Sequence, residues 1–340
     1  MHAGNLDTLQ PDCDVRRSAV PVTILTGFLG AGKTTLLNRI LKGDHGLRVA
    51  VLVNDFGSIN IDAELVVGVE SDVISLANGC VCCSIRGDLL ESVERVLDRP
   101  EKPEYVVLEA SGVADPAPIA MTFLDEALRD RIRIDSITCV VDAEQIFAVP
   151  EQMQLKLRQI AFADLLVLNK VDLIDRGGVG KVRTWLDDHF HRYRLIEARN
   201  GDVPLSILLA GRPADGSPSA AVRNGHAADT CSDPDCHEHA HRHTDAFGTW
   251  SYETNRPLSL AKLRAAASRL PADVYRCKGV IHSVDNPAQR TVLQVVGKRV
   301  DISQAGEWQD EKARTRIVVI GARGGVDGPT LQQKFDECLA

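Results

Sequence analysis

The chain has 340 residues, an ordinary globular composition with 44% hydrophobic residues, and a formal net charge of -8. That length fits about two domains, the absence of a Lys and Arg excess argues against a dedicated nucleic-acid binder, and no apolar run approaches the ~20 residues a membrane helix needs. Nothing at the start reads as a secretory leader, so the sequence predicts a cytoplasmic protein whose nine cysteines serve metal or redox chemistry sooner than disulfides.

After an N-terminal tail, residues 1–20, short apolar strands alternate with helical patterns through residues 21–209, which predicts a doubly wound, mainly parallel α/β sheet. The first strand, Val22 to Thr26, runs into "GFLGAGKTT". Gly27, Gly32, Lys33 and Thr34 satisfy G-x-x-x-x-G-K-[ST] between a β-branched run and a helical pattern, where a P-loop must sit to work. Glycines let backbone N–H groups face a phosphate chain, and the helix N-terminus adds partial positive charge. Gly27, Gly30, Ala31, Gly32, Lys33, Thr34 and Thr35 are the expected cradle, with Lys33 reaching the β/γ-phosphates and the Thr34 hydroxyl binding Mg²⁺.

The next strand, Val49 to Asn54, leads into "NDFG", and its Asp55 is the candidate acid of a nearby switch segment. "NGCVCCSIRGDL" then places Cys80, Cys82 and Cys83 within four positions. On an extended strand Cys82 and Cys83 would point to opposite faces, so one ion can bind both only if the backbone bends, and Asn78-Gly79 supplies a turn signal just upstream. Three thiolates suit Zn²⁺, Co²⁺ or Cu(I) and leave a tetrahedral ion one open position, useful for handing the metal on. A redox thiol set and inert buried cysteines are the competing readings.

A third strand, Tyr105 to Glu109, ends in an acid at the sheet edge that faces the nucleotide crevice of such folds. Glu109 is the candidate for the Walker-B role, holding Mg²⁺ through water or orienting the attacking water. The thiols fall between Asp55 and Glu109, where nucleotide-sensing switches run in P-loop GTPases; if nucleotide state alters metal affinity, the metal must alter nucleotide affinity by the same factor. No glutamine or arginine finger is evident, which predicts slow intrinsic turnover. Cys139, in the strand Ile137 to Asp142, reads as a small core residue. The strand Leu165 to Asn169 opens N-K-x-D, in which Asn169, Lys170 and Asp172 select GTP: a carboxylate can accept both N1–H and N2–H of guanine, donors that adenine lacks.

Residues 210–246 lose apolar periodicity and read as a flexible tether. Cys231, Cys236, His237, His239, His241 and His243 lie in it as auxiliary metal ligands, or as a solvated His-rich loop. Residues 247–340 predict a smaller α+β domain: strands at Phe247 to Glu253, Tyr275 to Val284, Thr291 to Val296 and Arg316 to Ile320, a helix from Ser259 to Arg269, and a terminal helix from Pro329. Cys277 and His282, on opposite faces of one strand, read as structural.

Taken together, "GFLGAGKTTLLN", "NDFG", "NGCVCCSIRGDL", "EASGVADPAPI", "VVDAE", "NKVDL", the Cys/His tract and the C-terminal "YRCKGVIHSVD" resemble the CobW-type metallochaperone GTPases, relatives of the GTPases that insert nickel into urease and hydrogenase. The resemblance covers nearly the whole chain after Val20. It implies that GTP and Mg²⁺ preorganise the site at Cys80, Cys82 and Cys83, and that hydrolysis releases the ion to a client metalloprotein. Zinc is the first expectation for the cargo, and cobalt, for cobalamin synthesis or nitrile hydratase, the alternative. This chain departs from the pattern in mixing two cysteines into its His tract and in carrying Asp55 where many relatives carry Glu. A metal reservoir or sensor regulated by the nucleotide is the competing function. Homo-oligomerisation stays open; partners other than GTP and a client, such as nucleic acid or a membrane, are not expected.

Overall fold

The computed structural model describes residues 19–54, 73–76, 85–125, 127–128, 130–209, 247–308 and 312–340. Two sheets organise them. The larger has seven strands in the order β3-β2-β4-β1-β5-β6-β7, and all of its pairings are parallel. Its strands are β1 (Val20–Thr26), β2 (Val49–Asn54), β3 (Val73–Leu76), β4 (Tyr105–Glu109), β5 (Ile132–Asp142), β6 (Leu165–Asn169) and β7 (Leu195–Glu197). The helices between them are α1 (Lys33–Lys42), α2 (Ile85–Leu97), α3 (Pro116–Phe123), α4 (Met153–Phe162), α5 (Arg176–His189) and α6 (Leu205–Leu208).

Strand side chains alternate between two buried layers, as a sheet covered on both faces requires. Val22, Ile24, Leu52 and Leu108 pack against Leu89 of α2 and Ile119 of α3. On the same face, Cys139, Val141 and Leu168 meet Ile160 of α4 and Leu186 of α5. Leu25, Val51, Val107 and Val167 face the other way, onto Leu36 and Ile40 of α1 and Leu208 of α6, and Tyr275 of the second sheet joins that layer. Local signals fix the helix starts: Asp115 caps α3 by accepting from Ala117 N at 3.0 Å, with Pro116 at the first helical position, where its missing N–H costs nothing.

The second sheet is antiparallel, in the order β11-β10-β9-β12-β8, built from β8 (Phe247–Thr254), β9 (Val274–His282), β10 (Gln289–Val296), β11 (Arg299–Glu307) and β12 (Thr315–Ala322). Helices α7 (Leu260–Ser268) and α8 (Gly328–Asp336) cover one face, where Leu263, Ala267, Leu331 and Phe335 meet Cys277, Ile281 and Leu293. Cys277 is thus a core residue, while His282, paired with Arg290, lies on the opposite face of β9. The architecture is the expected α/β sheet with a smaller α+β domain. Strands β3, β7 and β11 add to the sequence expectation, and β5 starts five residues earlier than the run Ile137 to Asp142. Among the described residues no helix is long and apolar enough to cross a membrane.

The sheets meet across a buried polar contact. Asp135 of β5 and Arg276 of β9 pair at 2.8 Å with both side chains 1% exposed, and Arg276 also donates to the Ile207 carbonyl at 2.7 Å. Tyr105 donates its hydroxyl to Asp135 at 2.7 Å. Arg299 of β11 reaches Asp164, beside β6, at 3.0 Å.

Candidate functional site

Strand β1 lies between β4 and β5, so the loops leaving β1, β4, β5 and β6 gather at one carboxyl edge of the sheet. Ligands of open α/β sheets bind there. The loop after β1 turns sharply: Gly27 has φ 131° and Gly32 has φ 100°, conformations that L side chains rarely adopt. Space forbids a Cβ as well, since one at Gly27 would collide with the Val140 carbonyl and one at Gly32 with the Asn169 amide. The turn closes through Ala31 N to Phe28 O at 3.2 Å. Lys33 is buried and donates to the Phe28 carbonyl at 3.3 Å. Gly30, by contrast, faces open space where a Cβ would stand. Thr34 and Thr35 are half-buried in the first turn of α1, where the helix presents its partial positive charge.

Two motif residues meet at the phosphate end. Thr34 donates its hydroxyl to Glu109 Oε1 at 2.8 Å, across 75 residues of sequence. Glu109 is 2% exposed at the end of β4. A hydroxyl beside a carboxylate is a hard oxygen pair of the kind Mg²⁺ prefers, so these two side chains fit that ion.

At the base end, Asn169 bridges two loops: its Nδ2 donates to Ala31 O at 2.9 Å and its Oδ1 accepts from Gly201 N at 2.8 Å. Lys170 follows with φ 63° and pairs with Asp142 at 2.7 Å. Asp142 Oδ1 also accepts from the backbone of Glu144 and Gln145. Asp172 is exposed in a short 3-10 turn, Val171–Leu173, and so is open to a base. Sequence reasoning passes over Asp142 as a site residue, although "VVDAE" ends a strand in an acid as Glu109 does. It also passes over the segment from Ala198 to Gly201, whose signal is the Asn200-Gly201 turn dipeptide.

Asp55, Cys80, Cys82, Cys83, Cys231, Cys236, His237, His239, His241 and His243 lie outside the described residues. Among the described residues no group of three or more His, Cys, Asp or Glu could hold a metal. The three described cysteines are buried. Burial pushes the Cys139 and Cys277 thiols up to about 12, which makes them poor thiolate ligands near neutral pH.

Residues 21–196 match the family model for the CobW/HypB/UreG nucleotide-binding domain, and residues 247–339 match that for the cobalamin synthesis protein CobW C-terminal domain. The chain belongs to the CobW/HypB/UreG family. With N-K-x-D on the base side, membership makes it a GTPase. Among curated relatives, it is 32% identical to the zinc chaperone CobW of a Sinorhizobium species, covering 89% of this chain and 92% of that one. It is 30% identical to the zinc chaperone YjiA of Escherichia coli, covering 89% and 94%. It also matches the crystal structure of Zn(II)-bound YjiA GTPase from E. coli at 24% identity, with 95% of this chain and 99% of that one covered and a TM-score of 0.40.

Proposed function

We propose that this CobW-family GTPase is a metallochaperone that takes up zinc at Cys80, Cys82 and Cys83 and delivers it to a client metalloprotein under control of GTP. The observation that carries the nucleotide half is the Thr34 to Glu109 hydrogen bond: it joins the phosphate loop to the acid at the end of β4. The metal half is supported by the thiol spacing and by relatives of nearly full length that bear the name zinc chaperone.

In this reading Lys33 neutralises the β/γ-phosphates, backbone N–H groups of Gly30 to Thr35 cradle them, and Asp172 accepts from guanine. Thr34 and Glu109 would hold Mg²⁺, which when bound offsets charge on the transferring phosphoryl group. In its alternative role Glu109 orients the attacking water, and Asp55 belongs to the switch that follows β2. The Cys/His segment serves as an auxiliary capture site and residues 247–340 dock the client. The protein acts in the cytoplasm.

Titrating reduced, metal-free protein with Zn²⁺ and Co²⁺ against a competing chelator, with and without GTP and Mg²⁺, tests this. One tight site whose affinity differs between GTP and GDP is expected, and Cys82→Ser should abolish it while leaving GTP affinity intact. The Cys/His tract favours a second reading, a reservoir, which would bind several ions with little nucleotide dependence.

A further inference from the structure

Helix α4 carries none of the nucleotide motifs, yet it holds three of the loops that bear them. Lys156 is only 3% exposed. Its Nζ donates to the backbone carbonyls of Gln145 at 3.1 Å, Ile146 at 2.9 Å and Ala148. Those three acceptors use all three donors of an ammonium group, which is what makes burial of the charge tolerable. They also fold the segment after Asp142 around the lysine. The same Nζ stands 4.8 Å from the ring centroid of Phe28, the residue after Gly27 in the phosphate loop, within range of a cation–π attraction.

Three residues further along, on the same helix face, Gln159 is 1% exposed. Its amide donates to the carbonyls of Gly112 at 3.1 Å and Ala114 at 3.0 Å, in the loop that follows Glu109. Arg158 adds a looser surface contact to the Asp115 cap at 3.6 Å. The phosphate loop, the Glu109 loop and the Asp142 loop, whose acid holds Lys170, therefore share one rigid support.

We propose that Lys156 and Gln159 are positioning residues of the GTPase: Lys156 holds the phosphate loop against the Asp142 loop and so sets nucleotide retention, and Gln159 holds the Glu109 loop and so sets the rate of hydrolysis. The two act on different steps because they grip different loops. Neither touches nucleotide itself. The assignment rests on the GTPase reading of the site.

The test uses the full chain and a fluorescent GDP analogue. Lys156→Met should speed GDP release about tenfold and raise KM for GTP, the loss expected from breaking a charge-assisted bond set, with kcat changed less. Gln159→Leu should lower kcat about tenfold with GDP release near that of the parent. Phe28→Leu, which removes the aromatic ring and leaves the buried lysine and its carbonyls alone, should speed GDP release by about threefold, and it serves if Lys156→Met does not fold. Parent protein that binds neither GDP nor GTP would sink the GTPase reading itself. Parent that binds, with folded variants whose release rate, KM and kcat all match it or all shift together, would overturn the clamp alone.

Discussion

Strand β5 carries two acids seven residues apart, Asp142 as its last residue and Asp135 near its start, about 23 Å along an extended strand, and the two are treated in opposite ways. At the carboxyl end Asp142 pairs with Lys170, whose side chain is 31% exposed. At the other end Asp135 pairs with Arg276 where both are 1% exposed, and the arginine comes from the other sheet. In the first pair the lysine can trade its partner for water or ligand, while Asp142, 7% exposed, keeps its two backbone donors. The second is closed to water, because Tyr105, Ile207 and the two charges enclose one another, with Arg133 reaching Asp135 from the partly exposed side at 3.5 Å. The nucleotide edge is thus built for exchange, and the opposite edge fixes the second domain to the sheet.

The largest effect should come from breaking the enclosed pair. Arg276→Met leaves Asp135 buried without its main counter-charge, and a broken buried pair costs about 3–5 kcal/mol. Replacing both residues, as Asp135→Leu with Arg276→Met, should recover part of that loss, because the unpaired buried carboxylate is gone and Arg133, 29% exposed, can reach water. Urea denaturation of the two variants checks the order; a double variant less stable than Arg276→Met would contradict it.

The same pair gives a pH signature. Burial alone would raise the pKa of Asp135, but Arg276 and Arg133, with the Tyr105 hydroxyl, hold it below the ordinary carboxylate range. A carboxylate with a depressed native pKa stabilises the fold fully above its unfolded value near ~4 and loses that contribution as pH falls through the native value. Stability should therefore hold down to about pH 4 and decline below it. In Arg276→Met the part of this decline that Asp135 contributes should shrink or reverse, because its native pKa moves up toward or past the unfolded value, read as denaturation midpoints across an acid series.

Next in size is base choice at the exchangeable edge. In the proposed base site, Asp172→Asn replaces an acceptor of two guanine protons by one acceptor and one donor, so the preference for GTP over ATP should drop by about 10²-fold. Stability should not change, because Asp172 is exposed. Competition binding with GTP and ATP measures it, and an unchanged preference would remove Asp172 from the base site.

Legibility divides along the same line. The motif residues could be read because their chemistry is tied to spacing: Gly27 to Thr34 and Asn169 to Asp172 are local patterns, and the fold only has to bring them together. The central strands were legible as β-branched runs. The start of β5 was not, because "RIRID" looks like a charged loop until Arg276, 141 residues away, is seen to neutralise Asp135. Strands β3 and β7 have four and three residues, too short for alternation to register. Strand β11, "RVDISQAGE", is polar because it lies at a sheet edge. Lys156 and Gln159 left no sequence mark for a different reason. Their partners are backbone carbonyls, which every residue has, so a lysine on an amphipathic helix reads as solvated.

The smallest effect expected is also the cleanest test of an exchangeable edge. Lys170 holds φ 63°, a left-handed conformation that costs a non-glycine residue about 1 kcal/mol. Its side chain is 31% exposed, although Asp142 is 7% exposed, so water screens the pair from the lysine side and it returns on the order of 1 kcal/mol. In Lys170→Gly the relief of the first should nearly cancel the loss of the second, leaving stability within about 1 kcal/mol of the parent. Lys170→Ala loses the pair and keeps the strain, so it should be the less stable of the two by about 1 kcal/mol. In the proposed base site both variants also lose the lysine stem that would lie along guanine, and so both should weaken GTP binding to the same extent. If glycine proved as costly as alanine, the left-handed backbone at Lys170 would hold no strain to relieve; if both variants cost well over about 1 kcal/mol, the pair with Asp142 would be holding the edge rigid, and the two regions of β5 would differ less than their exposure suggests.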